Sequence, residues 1–211
     1  MRTLAGLSVV LACLNEEENI ERAVRSSADA ADQASDEYEV IVVDDGSRDG
    51  SLPVASGFAR RDPHVRVLVH AGTRGYGAAV RTGIGAARMP WILLTDAGLP
   101  VDPHELENFL PLTADADLVV GRRTPRGGPF TRRLGAGARN LLVHRVLGAP
   151  VHDADCAFKL VRRELVGGLP LSSNGTAIGT ELVVRALVAG ARVREVDVHL
   201  LLSASVAVDV R

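Results

Sequence analysis

Five polar clusters interrupt otherwise apolar runs in this chain: Asn15-Glu16, Asp44-Asp45-Gly46-Ser47, Gly72 to Gly77, Asp96, and Gly121-Arg122-Arg123. Each sits where a short β-branched or aliphatic run stops, which is the carboxyl end of a strand, and open α/β sheets place their ligands beyond those ends. Carboxylates there can accept hydrogen bonds from the N–H edge of a uracil or guanine ring, and glycines let backbone approach a ribose or diphosphate closely. The set therefore suits a nucleotide. It contains neither a GxGxxG fingerprint after the first strand nor a Walker loop, so hydride transfer and ATP hydrolysis have little support.

The elements that must position these clusters alternate. An apolar run from Leu7 to Leu14 reads as a strand, with Asn15 as a helix N-cap and Glu18 three positions on as its capping-box partner. Ile20, Ala23, Val24 and Ser27 give that helix an apolar or small face before the strand Glu39 to Val43. Helices follow at Leu52 to Arg60 and Tyr76 to Ala87, with strands at Val65 to His70 and Trp91 to Thr95. Asp102-Pro103-His104-Glu105 reads as a helix start, with Asp as N-cap and Pro at the first helical position. A strand from Asp117 to Gly121 leads into a Gly- and Arg-rich loop, Arg122 to Gly137, that is expected to cover a site. A helix near Ala138 to Leu147, a strand near Ala157 to Val161, a helix near Thr176 to Ala189 and a strand near Arg192 to Leu201 complete the chain. Strand and helix in alternation predict an α/β fold with a mostly parallel central sheet and helices on both faces.

Composition bounds the partners. The 211 residues are 46% hydrophobic and 24% charged, as expected of one domain spanning 1–211, and the net charge of −2 with dispersed signs gives no field for a nucleic-acid backbone or an anionic membrane. No nucleic-acid partner is expected, and no stretch is long and apolar enough to span a membrane as a helix. Cys13 and Cys156 lie far apart without metal-ligand spacing, which fits a reducing, cytoplasmic setting. Arg2 with the apolar run Leu4 to Leu14, and Leu11-Ala12-Cys13 within it, also matches a short secretion signal with a lipoprotein cleavage site. That run passes directly into the acidic turn at the spacing of one βαβ unit, so a first strand accounts for it better.

Taken in order, Leu7-Ser8-Val9-Val10, Asn15-Glu16-Glu17-Glu18-Asn19-Ile20, Val42-Val43-Asp44-Asp45-Gly46-Ser47 and Gly75-Tyr76-Gly77-Ala78-Ala79-Val80-Arg81-Thr82-Gly83 resemble glycosyltransferase family 2. Leu93-Leu94-Thr95-Asp96-Ala97, Val119-Val120-Gly121-Arg122-Arg123, Asp153 with Cys156-Ala157-Phe158-Lys159, and Glu181-Leu182 continue the resemblance over nearly the whole chain. The dolichyl-phosphate and polyprenyl-phosphate sugar synthases are the most similar branch. The resemblance implies a Rossmann-like GT-A fold and sugar transfer from a UDP- or GDP-sugar, with Mg2+ or Mn2+ bridging the diphosphate. It implies that Asp45 reads the base with Glu16 and Asp44 near it, that Arg74 to Gly77, with Gly75 and Gly77 among them, lie against the nucleoside, that Asn15 adds a nucleotide contact to its capping role, and that Asp96 faces ribose or metal. Arg122 falls at the diphosphate, while Asp153 and Glu181 fall where the family places a base or an acceptor contact.

The sequence departs from the family pattern at several points. Asp-Xaa-Asp followed by Leu-Gln becomes Asp96-Ala97-Gly98-Leu99-Pro100, which removes oxygen ligands that a hard cation favours. Asp102 is a candidate substitute, although its capping signature supplies another role. Arg122, Arg123, Arg126, Arg132 and Arg133 offer charge to neutralise a diphosphate in place of part of a metal's role. The segment Val196 to Ser203 lacks the basic cluster and membrane helices of the lipid-phosphate branch. A lipid-phosphate acceptor and a small soluble acceptor therefore stand as alternatives, as does truncation of a longer parent. A homo-oligomer is left open. The competing reading is a sugar-nucleotide-binding or partner-binding protein that kept the fold and lost turnover. A sugar-1-phosphate nucleotidyltransferase is disfavoured by the acidic turn after the first strand.

Overall fold

The computed structural model describes residues 4–124 and 151–201. Seven strands form one sheet: β1 (Leu7–Cys13), β2 (Tyr38–Asp44), β3 (Val65–Val69), β4 (Trp91–Asp96), β5 (Leu118–Thr124), β6 (Lys159–Arg162) and β7 (Val193–His199). Their order is β3-β2-β1-β4-β6-β5-β7. β1 pairs in parallel with β2 and β4, β2 with β3, and β5 with β7, while β6 runs antiparallel to both β4 and β5. The sheet is thus mostly parallel, and the exception is the strand that carries Lys159.

The two-residue period of the strands divides the core. Leu7, Val9, Leu11 and Cys13 of β1 join a cluster with Ile20, Ala23, Val24 and Ala31 of α1 (Ile20–Ala34) and Ala55 of α2 (Ser51–Ala59). Val10 and Ala12 point the other way, toward Ala79 and Val80 of α3 (Tyr76–Ala86), Val166 of α4 (Arg163–Gly167), and Leu182, Val183 and Ala186 of α5 (Ile178–Val188). Both faces are covered by helices, which is why the central strands are apolar throughout rather than alternating. Each fully buried Val or Leu contributes about 1.5–3 kcal/mol, so an acidic replacement of Val24 on the buried stripe of α1 would open that face.

Several boundaries move from their sequence positions. Helix α1 starts at Ile20 rather than after Asn15, so the Asn15–Glu18 capping box is not formed. Asn15 instead takes a left-handed backbone, φ 55°, and its Oδ1 accepts from Arg48 N at 2.8 Å. This ties the turn after β1 to the turn after β2, and that long-range partner outcompetes local capping. Asp102 does cap, accepting from His104 N at 3.0 Å, but the helix it starts is the 3-10 segment Pro103–Asn108. Arg122 and Arg123 belong to β5 rather than to a loop, because the ladder with β7 continues to Thr124 opposite His199. The expected helix at 138–147 and the loop residues Arg126, Arg132 and Arg133 lie outside the described residues.

Candidate active site

The parallel strands β1, β2 and β4 end side by side, with Cys13 opposite Asp44 and Ala12 opposite Asp96. The chain leaves β1 toward β2 on one side, and β4 lies on the other, so a crevice opens at this reversal of strand order. Buried oxygens without a hydrogen-bond partner collect here: Asp44 Oδ1, Thr95 Oγ1 and Asp96 Oδ1 are three of the five such side-chain atoms among the described residues. Orphaned buried acceptors are rare and costly in native proteins, and they concentrate where a ligand or ion completes them.

Beside the crevice lies a cavity of about 530 Å³, lined by Tyr76, Asp96, Arg123, Asp155, Cys156, Lys159 and Thr176 together with Val80, Ile84, Leu94, Leu171, Ile178 and Leu182. Of the site residues expected from sequence, Asp96 lines it, as do Arg123 of the charge-neutralising set and Tyr76 of the 74–77 segment. Burial pushes the Asp96 carboxyl up to about 6, against the opposing pull of the Tyr76 hydroxyl and the Lys159 charge. Lys159 is 1% exposed, and its Nζ donates to Cys156 O. It has no carboxylate within ion-pair distance among the described residues, and burial lowers its pKa.

Asp45 is held by its own fold. Its Oδ1 accepts from His70 Nδ1 at 2.5 Å and Arg74 N at 2.9 Å, and its Oδ2 accepts from Gly75 N at 2.8 Å. Burial works against the charge, but these donors outweigh it and keep Asp45 below its ordinary range. Asp44 Oδ2 accepts from Gly46 and Ser47 N, an Asx-type turn, and Ser47 Oγ in turn accepts from Asn15 N. Glu16 N donates to Ser51 Oγ at 2.7 Å, and Glu16 Oε2 accepts from Asn19. A Cβ added at Gly98 would stand 2.9 Å from Glu16 Oε1, so the Glu16 carboxylate fills the space beside Gly98.

Gly75 and Gly77 admit protein. Gly75 has φ +101°, and a Cβ there would collide with Asn174 O; at Gly77 it would collide with Ser173 O. Gly77 N donates to Asn174 O at 2.7 Å, and Arg81 Nη2 donates to Asn174 Oδ1 at 2.6 Å. Glu181 holds the same segment from the other side, accepting from Ser172 N and Ser173 N while pairing with Arg185 at 2.8 Å. Burial opposes its charge, but Ser173 and Arg185 hold Glu181 far below the ordinary carboxylate range.

The two arginines of β5 face opposite ways. Arg122 Nε bonds Asp197 Oδ1 at 2.5 Å on the neighbouring strand and stands off the cavity, whereas Arg123 lines it and grips both oxygens of Asp153 at 2.7 Å. Burial works against the Asp153 charge, yet the Arg123 fork holds its carboxyl below the usual range. Lys159 is a cavity residue to which no expectation from sequence gave a role, although it stands inside the Cys156-Ala157-Phe158-Lys159 motif. The period-2 alternation of β5 was the signal separating Arg123 from Arg122.

The sequence profile of the family named Glycosyl transferase family 2 matches residues 8–169. The chain belongs to that family. A glycosyltransferase of Mycobacterium tuberculosis, described as uncharacterized, is 35% identical over 92% of this chain and 84% of its own length. Dodecaprenyl-phosphate galacturonate synthase of Rhizobium johnstonii is 30% identical over 76% of this chain and 48% of its own. Among solved structures, glucosyl-3-phosphoglycerate synthase of Mycobacterium tuberculosis in complex with Mn2+, UDP and glucosyl-3-phosphoglycerate superposes with a TM-score of 0.71, at 23% identity over 92% of this chain and 70% of that one. The family 2 chain has the GT-A fold expected of it. Among its described residues no helix is long and apolar enough to cross a membrane.

Proposed function

We propose that the chain transfers a sugar, with inversion, from a UDP- or GDP-sugar to a phosphate-bearing acceptor. The observation that carries this reading is the state of the two expected bases. Asp153 is clamped by Arg123, and Glu181 by Ser172, Ser173 and Arg185, and neither lines the cavity. Asp155 lines it, but its carboxylate already accepts the Thr180 hydroxyl. An acceptor that is already anionic needs no base. A phosphate oxygen would bond to the anomeric carbon as the bond from that carbon to the donor diphosphate breaks, and the electron pair would leave with the nucleoside diphosphate.

Lys159 and the N–H edge of Arg123 supply positive charge on the cavity wall, where low dielectric strengthens their pull on developing phosphate charge. The apolar wall of Val80, Ile84, Leu171 and Leu182 excludes water from the transfer. One relative supports an acceptor of this chemistry, since it is named for dodecaprenyl phosphate. At the base end, Asp45 and the 72–75 turn form the nucleoside contact.

An ion that bridges a diphosphate needs only one or two protein carboxylates, because substrate oxygens and water complete its shell. Asp96, with a shielded and unpartnered Oδ1, and Glu16 beside Gly98 are oxygen donors that fit Mg2+ or Mn2+ in that role. Among the described residues no group of three ligating side chains is close enough to hold an ion without substrate. Such an ion would supply neutralisation of the diphosphate.

The test pairs an acceptor with its dephosphorylated form. Labelled UDP- and GDP-sugars are offered with undecaprenyl phosphate or undecaprenol. Transfer to the phosphorylated acceptor, falling at least about a hundredfold for its alcohol, is expected. Equal transfer to the alcohol would contradict the reading.

A further inference from the structure

His70 carries no role in any motif above, yet it is 6% exposed and bonded at both ring nitrogens. It follows β3, and its backbone N–H donates to Asp44 O at 2.9 Å, which fixes it beside the turn after β2. Its Nδ1 lies 2.5 Å from Asp45 Oδ1, and its Nε2 lies 2.9 Å from Thr82 Oγ1 on α3. An ionised carboxylate only accepts, so the Nδ1 nitrogen must carry the hydrogen. Whether Thr82 donates to Nε2 or accepts from it, the ring is locked in plane and rotation by two bonds at opposite nitrogens.

The acceptor capacity of Asp45 can then be counted. Oδ1 is filled by His70 and the Arg74 amide, while Oδ2 receives one donor, the Gly75 amide. Each carboxylate oxygen accepts about two hydrogen bonds, so one acceptor position remains, on Oδ2. Without His70 the carboxylate could rotate and spread its capacity over both oxygens.

We propose that His70, anchored by Thr82, is the positioning residue that sets base selectivity by holding Asp45 with one Oδ2 acceptor position presented to the ring N–H of the donor base. The inference rests on Asp45 as the base contact of the proposed function. It adds that the selectivity is stored in a buried histidine that touches no substrate.

The experiment is calorimetric titration of the full chain, wild type and variants, with UDP and N3-methyl-UDP, and with GDP and N1-methyl-GDP. Methylation removes the ring N–H that Asp45 would accept. The wild type is expected to prefer its unmethylated nucleotide by about tenfold or more, because a site built around a hydrogen bond rejects the analogue lacking it. His70→Leu should bring that ratio below about threefold with little change for the methylated nucleotide, and Thr82→Val, a near-isosteric change, should lower it part of the way. His70→Asn, which keeps an amide donor toward Asp45, should restore most of it. A His70→Leu chain that keeps full discrimination, or that weakens both nucleotides equally, overturns the inference. A wild type that binds one nucleotide but ignores methylation also overturns it. A wild type that binds neither nucleotide overturns the donor reading itself, and the inference with it.

Discussion

Asp96 and Lys159 show what the site costs the fold. A carboxyl held up near pH 6 by burial is less stable charged in the folded state than in the unfolded one. The penalty is absent below the unfolded value of about 4, grows as pH rises to about 6, and is complete above it, at most about 3 kcal/mol. Asp96→Asn should therefore raise stability at pH 8 and lose that gain at pH 4, while abolishing transfer. Denaturant titrations at the two pH values check the sign. Lys159 behaves in the opposite charge sense. Replacing a buried ammonium that has no carboxylate partner among the described residues with a similar apolar chain, Lys159→Met, is expected to stabilise by about 1–3 kcal/mol at pH 7 while lowering transfer, and loss of stability would show that its hydrogen bond to Cys156 O outweighs the burial of its charge. Gly98→Asp should strengthen Mn2+-dependent nucleotide binding by restoring an acid, provided the flexible end of Glu16 yields from its 2.9 Å approach. No gain with manganese would show that the missing acid is not what limits metal binding. The sequence pointed to Asp96 through its place after an apolar strand. It could not show that Asp45 is saturated on one oxygen, because the partner His70 lies 25 residues away on another element.

At the scale of elements, the segment 172–175 is held by residues distant in the chain. It is pinned from below by Gly75 and Gly77, from the side by Arg81, and from behind by Glu181. Glu181→Gln should keep the Ser172 and Ser173 backbone amides on its one acceptor oxygen but turn an NH2 group toward Arg185 and lose the charge that pairs with it, weakening nucleotide or acceptor binding a few-fold with kcat nearly unchanged. A general base would instead lose about a hundredfold or more in kcat, so steady-state kinetics separates the two roles. The helix-surface pair of Glu181 with Arg185 was legible from their i, i+4 spacing, but the serine contacts were not, since nothing local marks a loop that returns to a helix. The same holds for β5. Its apolar run was readable, whereas its extension through Arg122 and Arg123 depends on pairing with β7, more than 70 residues later in the chain.

For the whole molecule, the alternation of apolar strands with helical periodicity was enough to give a mostly parallel sheet covered on both faces, because that pattern has few other ways to bury itself. The reversed direction of β6 was not readable, since a strand of four residues, Lys159–Arg162, carries no sign of its orientation. That reversal brings Lys159 from the chain's second half to the edge of a crevice built by its first half, and so completes the cavity beside Asp96. The account stands on this crevice being a nucleotide-diphosphate site. The most direct measurement is calorimetric titration of the chain with UDP and with GDP, each with and without Mn2+, repeated on Asp96→Asn. One of the two nucleotides should bind, more tightly with manganese, and the manganese gain should vanish in the variant. Binding of neither nucleotide, with the chain folded, would contradict it.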